Sequence, residues 1–504
     1  MSGNFFDALH DAMARQPQAI CFDCPGSASF TFHEVLELSD QFAASLDALA
    51  ITPGDRVVVQ VDKSVAAFAL YLATLQRGAV FVPLNTAYTA AELEYFLGDA
   101  EPGLFVGRPQ DQDALTSLSK TVGVEHFRAL GTDPVQDYWH EVRQLDPQRD
   151  SVARAAEDLA AIVYTSGTTG RSKGAMISHR ALATNAQALK DAWGFEPADV
   201  LLHALPIFHI HGLFISLHPT LLNGSTTIFL PAFDAATVRE HLPRASILMG
   251  VPTFYSRLLA EPGFGRADCA SIRVFISGSA PLTAQASDAW HAATGTRILE
   301  RYGMTEAGII TSNPLDGERL AGTVGYPLPG VELMICDDAG LPLGADEIGA
   351  IEVKGPNLFS GYWKKPEKTA EEVRANGYFI TGDLGMQGRD GRVTIVGRAK
   401  DLIISGGYNI YPKEIEMVLD ALPGVQESAV VGVPHADLGE GVVAVLVGND
   451  TPAPAEATLT DALSTLARFK HPRRFYWIDA LPRNAMGKVQ KKVLAERYAD
   501  AYRG

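Results

Sequence analysis

Through the first three quarters of the chain, short apolar runs of strand type alternate with stretches of helical periodicity, and this limits the fold more than any other feature. DRVVVQV (55–61), a helical stretch at 64–76 and AVFVPL (79–84) read as one right-handed β-α-β unit. The rhythm returns as LAAIVYT (159–165), a helix at about 180–193, DVLLHALP (199–206), a helix after 211, STTIFLP (225–231), a helix at 235–241, SILMGVP (246–252) and SIRVFISG (271–278). Strands separated by helices in this way build parallel sheets covered by those helices. So many units, in a chain of 504 residues, exceed one small core.

Between 324 and 396 the texture changes to short alternating strands with Gly, Pro and Asp turns: VELMICDDAG (331–340), GAIEVKG (349–355) and GRVTIVG (391–397). That pattern predicts antiparallel β structure, a small barrel-like subdomain. After GRAKD (397–401) helix and strand mix again, with a helix at 412–421, strands VQESAVVGV (425–433) and GVVAVLVG (441–448), a helix near 458–468, then RFYWI (474–478). The expected fold class is therefore α/β. A large N-terminal domain of parallel α/β sheets spans 1–397, with its β subdomain at about 324–396; a hinge at 398–401 leads to a small, mobile α+β lid domain at 402–504.

The chain carries 42 Lys/Arg against 59 Asp/Glu, a formal charge of −17, which speaks against nucleic acid or an anionic membrane as partner. The charge is uneven: residues 468–504 hold ten Lys/Arg against three Asp/Glu, a local +7. The most apolar stretch, 65–75, is far too short to cross a bilayer, and the N-terminus, with Asp7 and Asp11 and no basic run leading into an apolar core, reads as mature rather than as a leader. Four cysteines (Cys21, Cys24, Cys269, Cys336) give no disulfide framework, and Cys21 and Cys24 lack a second pair at zinc spacing, so a reducing, cytoplasmic setting is expected and no metal is inferred from cysteine.

The strongest chemical signal is YTSGTTGRSKG (164–174), at the end of a predicted strand, with three glycines, five Ser/Thr hydroxyls and two cations. Glycines let backbone N–H groups turn toward an anion, hydroxyls add donors, and Arg171 and Lys173 add charge. The spacing G-x4-G-K-[ST] cannot be laid on it, which disfavours P-loop kinases and GTPases.

With that loop come PIFHIHG (206–212), SGSAP (277–281), YGMTE (302–306), YFITGD (378–383), GRAKD (397–401) and PRNAMGK (482–488), in that order. In these motifs, and over nearly its whole length, the chain resembles the adenylate-forming superfamily of acyl-CoA synthetases, nonribosomal-peptide adenylation domains and luciferase-type enzymes. The resemblance implies ATP, Mg2+ and coenzyme A, and a two-step reaction. A carboxylate attacks the α-phosphorus of ATP and releases pyrophosphate; a thiol then takes the acyl group from the adenylate.

By motif match, Thr165, Ser166, Gly167, Thr168, Thr169, Gly170 and Lys173 would receive the phosphates, with Thr165 and Glu306 beside the metal. Gly278, Ser279, Ala280 and Tyr302 would enclose the adenine, with Glu300, Gly303, Met304 and Thr305 as further nucleotide contacts, and Asp383 and Arg398 would hold the ribose. Lys488 would bridge the attacking oxygen and the α-phosphate. His209 would gate the acyl pocket, Lys400 would be the hinge, and Ser405, Gly406 and Gly407 would admit the thiol of coenzyme A. A cation with that role is also a target for a lysine acetyltransferase and deacetylase, since acylating Lys488 removes its charge.

Arg301 stands where many relatives with apolar substrates carry glycine. A buried guanidinium needs an anionic partner, and a dicarboxylate supplies one after its other carboxylate has reacted. ERYGMTE (300–306) resembles the malonyl-CoA synthetase version of this motif, and Arg257, in VPTFYSR (251–257), is the expected second clamp, alongside His209. The expected function is malonyl-CoA formation from malonate, ATP and CoA through malonyl-adenylate, with release of AMP and pyrophosphate. The alternatives are a synthetase for methylmalonate or a short-chain or aryl acid, and an adenylation domain that loads a carrier protein.

Overall fold

The structure is a computed structural model that describes residues 3–165, 172–449, 451–484 and 487–503. Four sheets organise it. A six-stranded sheet orders its strands His126–Ala129, Leu104–Gly107, Arg56–Gln60, Val80–Pro83, Leu159–Thr165 and Lys173–Ser178, all parallel except the last. In a nine-stranded sheet the parallel centre runs Leu299–Met304, Val274–Ser277, Ile247–Gly250, Val200–His203, Thr226–Phe229, Ile20–Asp23, with antiparallel strands at both ends. As the alternation predicts, the central strands ILMG and VFIS are buried throughout. The helix Val65–Gln76, capped by the Ser64 hydroxyl, is buried at every residue, and one hydrophobic cluster takes side chains from both sheets and from this helix.

The antiparallel region is a four-stranded sheet ordered Glu332–Cys336, Gly349–Lys354, Phe379–Gln387, Val393–Arg398, with no pairing between its outer strands. The antiparallel texture is as expected, and the outer strand Val393–Arg398 is bonded in turn to Val324 and Gly325, at the start of the region.

The last region is a five-stranded sheet built on Val425–His435 and Gly439–Gly448, flanked by the hairpin Ile403–Ser405/Tyr408–Ile410 and by the parallel strand Arg474–Ile478. The period-two pattern of VVAVLV sends Val442, Ala444 and Leu446 to one core with Ile415 and Leu419, and Val443, Val445 and Val447 to another with Leu481 and Leu494. The helix expected near 458–468 is Glu456–Ala462, followed by the 3-10 turns Leu463–Thr465 and Arg468–Lys470. Among the described residues no helix is long and apolar enough to cross a membrane.

Candidate active site

Strand Leu299–Met304 enters the site between the loop after Val274–Ser277 and the strand Phe379–Gln387. Ser277 pairs with Glu300, which sets Arg301 beside Gly278. A Cβ on Gly278 would lie 2.4 Å from Arg301 Cζ, so the guanidinium rests on bare backbone. Arg301 is only 4% exposed, and its Nε and one terminal nitrogen have no hydrogen-bond partner among the described residues. Burial pulls it down to about 10, which leaves it charged at neutral pH. Glu300, on the other side of the strand, accepts the Leu282 N–H (3.1 Å), and burial pushes it up to about 7.

Tyr302 donates to Asp383 Oδ2 at 2.5 Å, while Arg398 Nε lies 2.8 Å from Oδ1. Hairpin register makes this meeting: Asp383 and Arg398 are direct cross-strand partners. Just past Tyr302 a bulge re-aims the chain, and Gly303 is confined there, since a Cβ would lie 2.1 Å from the Gly308 carbonyl oxygen. Met304 O accepts the Ala307 N–H (3.2 Å), closing the turn that presents Glu306, and Thr305 lines a water-sized cavity of about 20 Å³ with Phe214, His218 and Asn357.

Thr165 Oγ1 is 3.4 Å from Glu306 Oε1, and the Tyr362 hydroxyl lies 3.0 Å from Glu306 and 2.6 Å from Glu372. Lys173 pairs with Glu372 at 3.0 Å and stacks over the Tyr362 ring at 4.1 Å. Burial raises the Glu306 carboxyl above the usual range. Tyr362 and Glu372 escaped the sequence reading, because nothing in PEKTAEE (366–372) sets Glu372 apart from Glu367 and Glu371. Ser166, Gly167, Thr168, Thr169 and Gly170 lie outside the described residues.

The loop 206–212 brings His209 and His211 to the same place. His209 Nδ1 accepts the His211 N–H (3.1 Å), and Ser279, whose φ is +69°, puts its hydroxyl 3.1 Å from His211 Nδ1. Burial, and then the positive charges of Arg301 and Lys488, pull His209 down to about 4. Lys488 comes from the far end of the chain on a turn in which Asn484 Oδ1 accepts its N–H (2.9 Å). Gly487, with φ +72°, lies next to Thr253, to whose hydroxyl an added Cβ would come within 3.4 Å, so this turn sits against helix Pro252–Leu259. Lys488 is exposed at the edge of the site; partial desolvation, with the charges of Arg398 and Lys400 and against that of Asp383, brings it down to about 8.

Three expectations fall elsewhere. Arg257 is exposed: Phe254, Tyr255 and Leu258 are the buried residues of helix Pro252–Leu259, which turns Arg257 outward into a surface cavity with Phe233, Asp234 and Glu261. It is not beside Arg301, and the second-clamp expectation is corrected. Gly406 and Gly407, with φ of +58° and +82°, form the two-residue turn of the hairpin after Ser405, within the last sheet. Lys400 is exposed in the 3-10 turn Ala399–Asp401, between the last strand of the four-stranded sheet and the first of the five-stranded one.

Residues 9–363 match the family described as AMP-binding enzyme, and residues 414–488 match the AMP-binding enzyme C-terminal domain. The chain is 36% identical to the malonate–CoA ligase of Arabidopsis thaliana over 480 residues, 88% of this chain and 78% of that protein. It is also 36% identical to the mitochondrial malonate–CoA ligase of Mus musculus over 481 residues, 88% of this chain and 82% of that one. Among solved structures, ATP-bound MatB from Rhodopseudomonas palustris is 48% identical with both chains fully covered and superposes with a TM-score of 0.96, whereas apo MatB, at the same identity and coverage, gives 0.87. The arrangement seen here is thus nearer that of the ATP-bound protein. With both of its regions matched, the chain belongs to the AMP-binding enzyme family.

Proposed function

We propose that the chain is an ATP-dependent malonate–CoA ligase that forms malonyl-CoA through malonyl-adenylate, releasing AMP and pyrophosphate. The observation that carries the substrate is Arg301, a buried guanidinium beside neutral His209 with two nitrogens unpartnered among the described residues. A free carboxylate on the substrate satisfies it, and a monocarboxylate leaves it orphaned. The names borne by the Arabidopsis and mouse relatives agree.

In this reading Tyr302 and the 278–280 backbone flank the adenine. Asp383 and Arg398, already paired, exchange part of their mutual contact for the ribose hydroxyls. Lys488 neutralises the repulsion between malonate oxygen and α-phosphate. Lys173 passes from Glu372 to the phosphates.

The Thr165 hydroxyl and the Glu306 carboxylate suit Mg2+, which takes few protein oxygens and leans on phosphate and water. One Tyr362 proton cannot serve both Glu306 and Glu372, so the pair has acceptor capacity to spare. When bound, the ion neutralises charge on the triphosphate.

The segment 398–401 around Lys400 serves as the hinge between an N-terminal domain, 1–397, and a lid, 402–504. Its rotation withdraws Lys488 and brings the Ser405–Gly407 turn toward the thiol of coenzyme A. Acylation of Lys488 by a lysine acetyltransferase removes the charge that the first step needs, and the four free cysteines fit a reducing cytoplasm.

AMP release is to be measured with malonate, methylmalonate, succinate and acetate, with and without CoA. Malonate should lead, AMP release should need CoA for turnover, and Arg301→Ala should raise the malonate KM steeply with ATP binding near normal. Acetate matching malonate would overturn the substrate assignment.

A further inference from the structure

Lys63 and His203 stand outside every motif above, yet they are joined to the acyl site. Lys63 follows strand Arg56–Gln60, and its Nζ lies 2.7 Å from His203 Nδ1, 2.9 Å from the His203 carbonyl and 2.5 Å from the Leu230 carbonyl. The Phe229 ring closes the remaining side, 4.2 Å away. The Gly212 carbonyl oxygen, 2.9 Å from His203 Nε2, can only accept, so Nε2 carries the ring proton and Nδ1 is the bare nitrogen that accepts from Lys63.

The ring is thus held at both nitrogens, Nε2 donating to the Gly212 carbonyl and Nδ1 accepting from Lys63 at 2.7 Å. Gly212 is held from its other side too: a Cβ would lie 2.2 Å from the Pro206 carbonyl oxygen, leaving room only for glycine. The loop 206–212 is thereby fastened at one residue, and it is the loop that carries His209 and His211. Beyond it the chain runs on as the π-helix His211–Leu217, in which the Ser216 hydroxyl donates to the His211 carbonyl at 2.6 Å.

The Lys63 nitrogen is enclosed by three acceptors and an aromatic ring, so what it supplies at this place is geometry. We propose that Lys63 is a positioning residue for the acyl site: by anchoring the His203 ring at Nδ1 it fixes the Gly212 carbonyl, and so the placement of His209 and His211 beside Arg301. This deepens the malonate reading and rests on it.

The test uses malonate-dependent ATP–pyrophosphate exchange by the full-length enzyme, run below the melting temperature of each variant. Exchange by the unaltered enzyme tests the malonate reading; the variants test the present one. Lys63→Met and His203→Phe should each raise the malonate KM about tenfold or more while the ATP KM moves less than about twofold, since each strands a buried polar group. The double variant should be no worse than the singles, because the two act in series. His203→Gln, which restores a donor toward Gly212, should recover most of the malonate KM.

A purely structural lysine would lower the active fraction, and so kcat, with KM unchanged; that result, or additive losses in the double variant, overturns the proposal. If Lys63→Met does not accumulate folded, His203→Phe against His203→Gln decides, and equal malonate KM values there overturn it.

Discussion

Burying Arg301 with two nitrogens unpartnered among the described residues costs free energy that only a ligand offsets, and the neighbour that makes the burial possible is Gly278. A methyl group there would stand 2.4 Å from Arg301 Cζ, inside any tolerable contact, so Gly278→Ala must displace the guanidinium. Gly278 also borders the proposed adenine site, so a single substitution does not tell the two effects apart. A double-mutant cycle does. Gly278→Ala should raise the malonate KM about tenfold in the unaltered enzyme, and less than about twofold when Arg301→Ala has already vacated the space. Equal effects in both backgrounds would mean that Gly278 serves the nucleotide and not Arg301.

At the level of elements, what could be read in advance is what a local pattern fixes. The strands VFVP, ILMG and VFIS announced buried parallel sheet, and GRAKD marked the point where sheet gives way to sheet. Residues brought together by register were legible only as motif members: nothing local says that Asp383 faces Arg398, which depends on the pairing of Phe379–Gln387 with Val393–Arg398. Arg257 went astray because helix Pro252–Leu259 exposes position 257 while burying 254, 255 and 258, a phase that only the packed helix reveals. Tyr362, Glu372, Lys63 and His203 act through long-range contacts and carry no signature of their own.

The same level supplies the hinge prediction. Ala399–Asp401 is a single 3-10 turn, and Lys400 at its centre is exposed with no shape of its own to keep. Proline fits a helical turn but locks φ. Lys400→Pro should therefore retain adenylate formation, which suits the arrangement seen here, and lose thioester formation from supplied malonyl-adenylate. Normal rates in both half-reactions would remove the hinge from 398–401.

For the whole molecule, net charge is a poor guide to pH dependence, and the buried histidines are a better one. Burial, with Arg154 next, pulls His179 down to about 4; burial alone takes His218 to about 3; His209 sits at about 4, and His203 and His211 are pulled well below the ordinary value. Each folded pKa lies below that of the unfolded chain, so the unfolded state binds more protons as pH falls from about 6.5 toward 4, and stability is lost over that window. Glu300, at about 7, Asp420, at about 6, and Asp40, Glu306 and Glu427, all raised by burial, oppose this, because burial favours the protonated carboxyl in the folded state, whereas the depressed carboxyls of Asp199, Asp268, Glu372 and Glu416 act in the same direction as the histidines.

The clearest single contributor is His179. Its Nδ1 accepts the Phe5 N–H (3.1 Å) and so docks the first helix, Phe5–Met13, while its Nε2 is buried with no partner among the described residues. Protonation would end the first contact and strand a charge at the second. Asparagine places an acceptor near Nδ1 and does not titrate. His179→Asn should melt with the unaltered protein at pH 7.5 and lose less on going to pH 5, the difference approaching the roughly 1.4 kcal/mol per pH unit that one proton is worth. Melting curves that stay parallel from pH 7.5 to 5 would show that the acid sensitivity lies in the other groups.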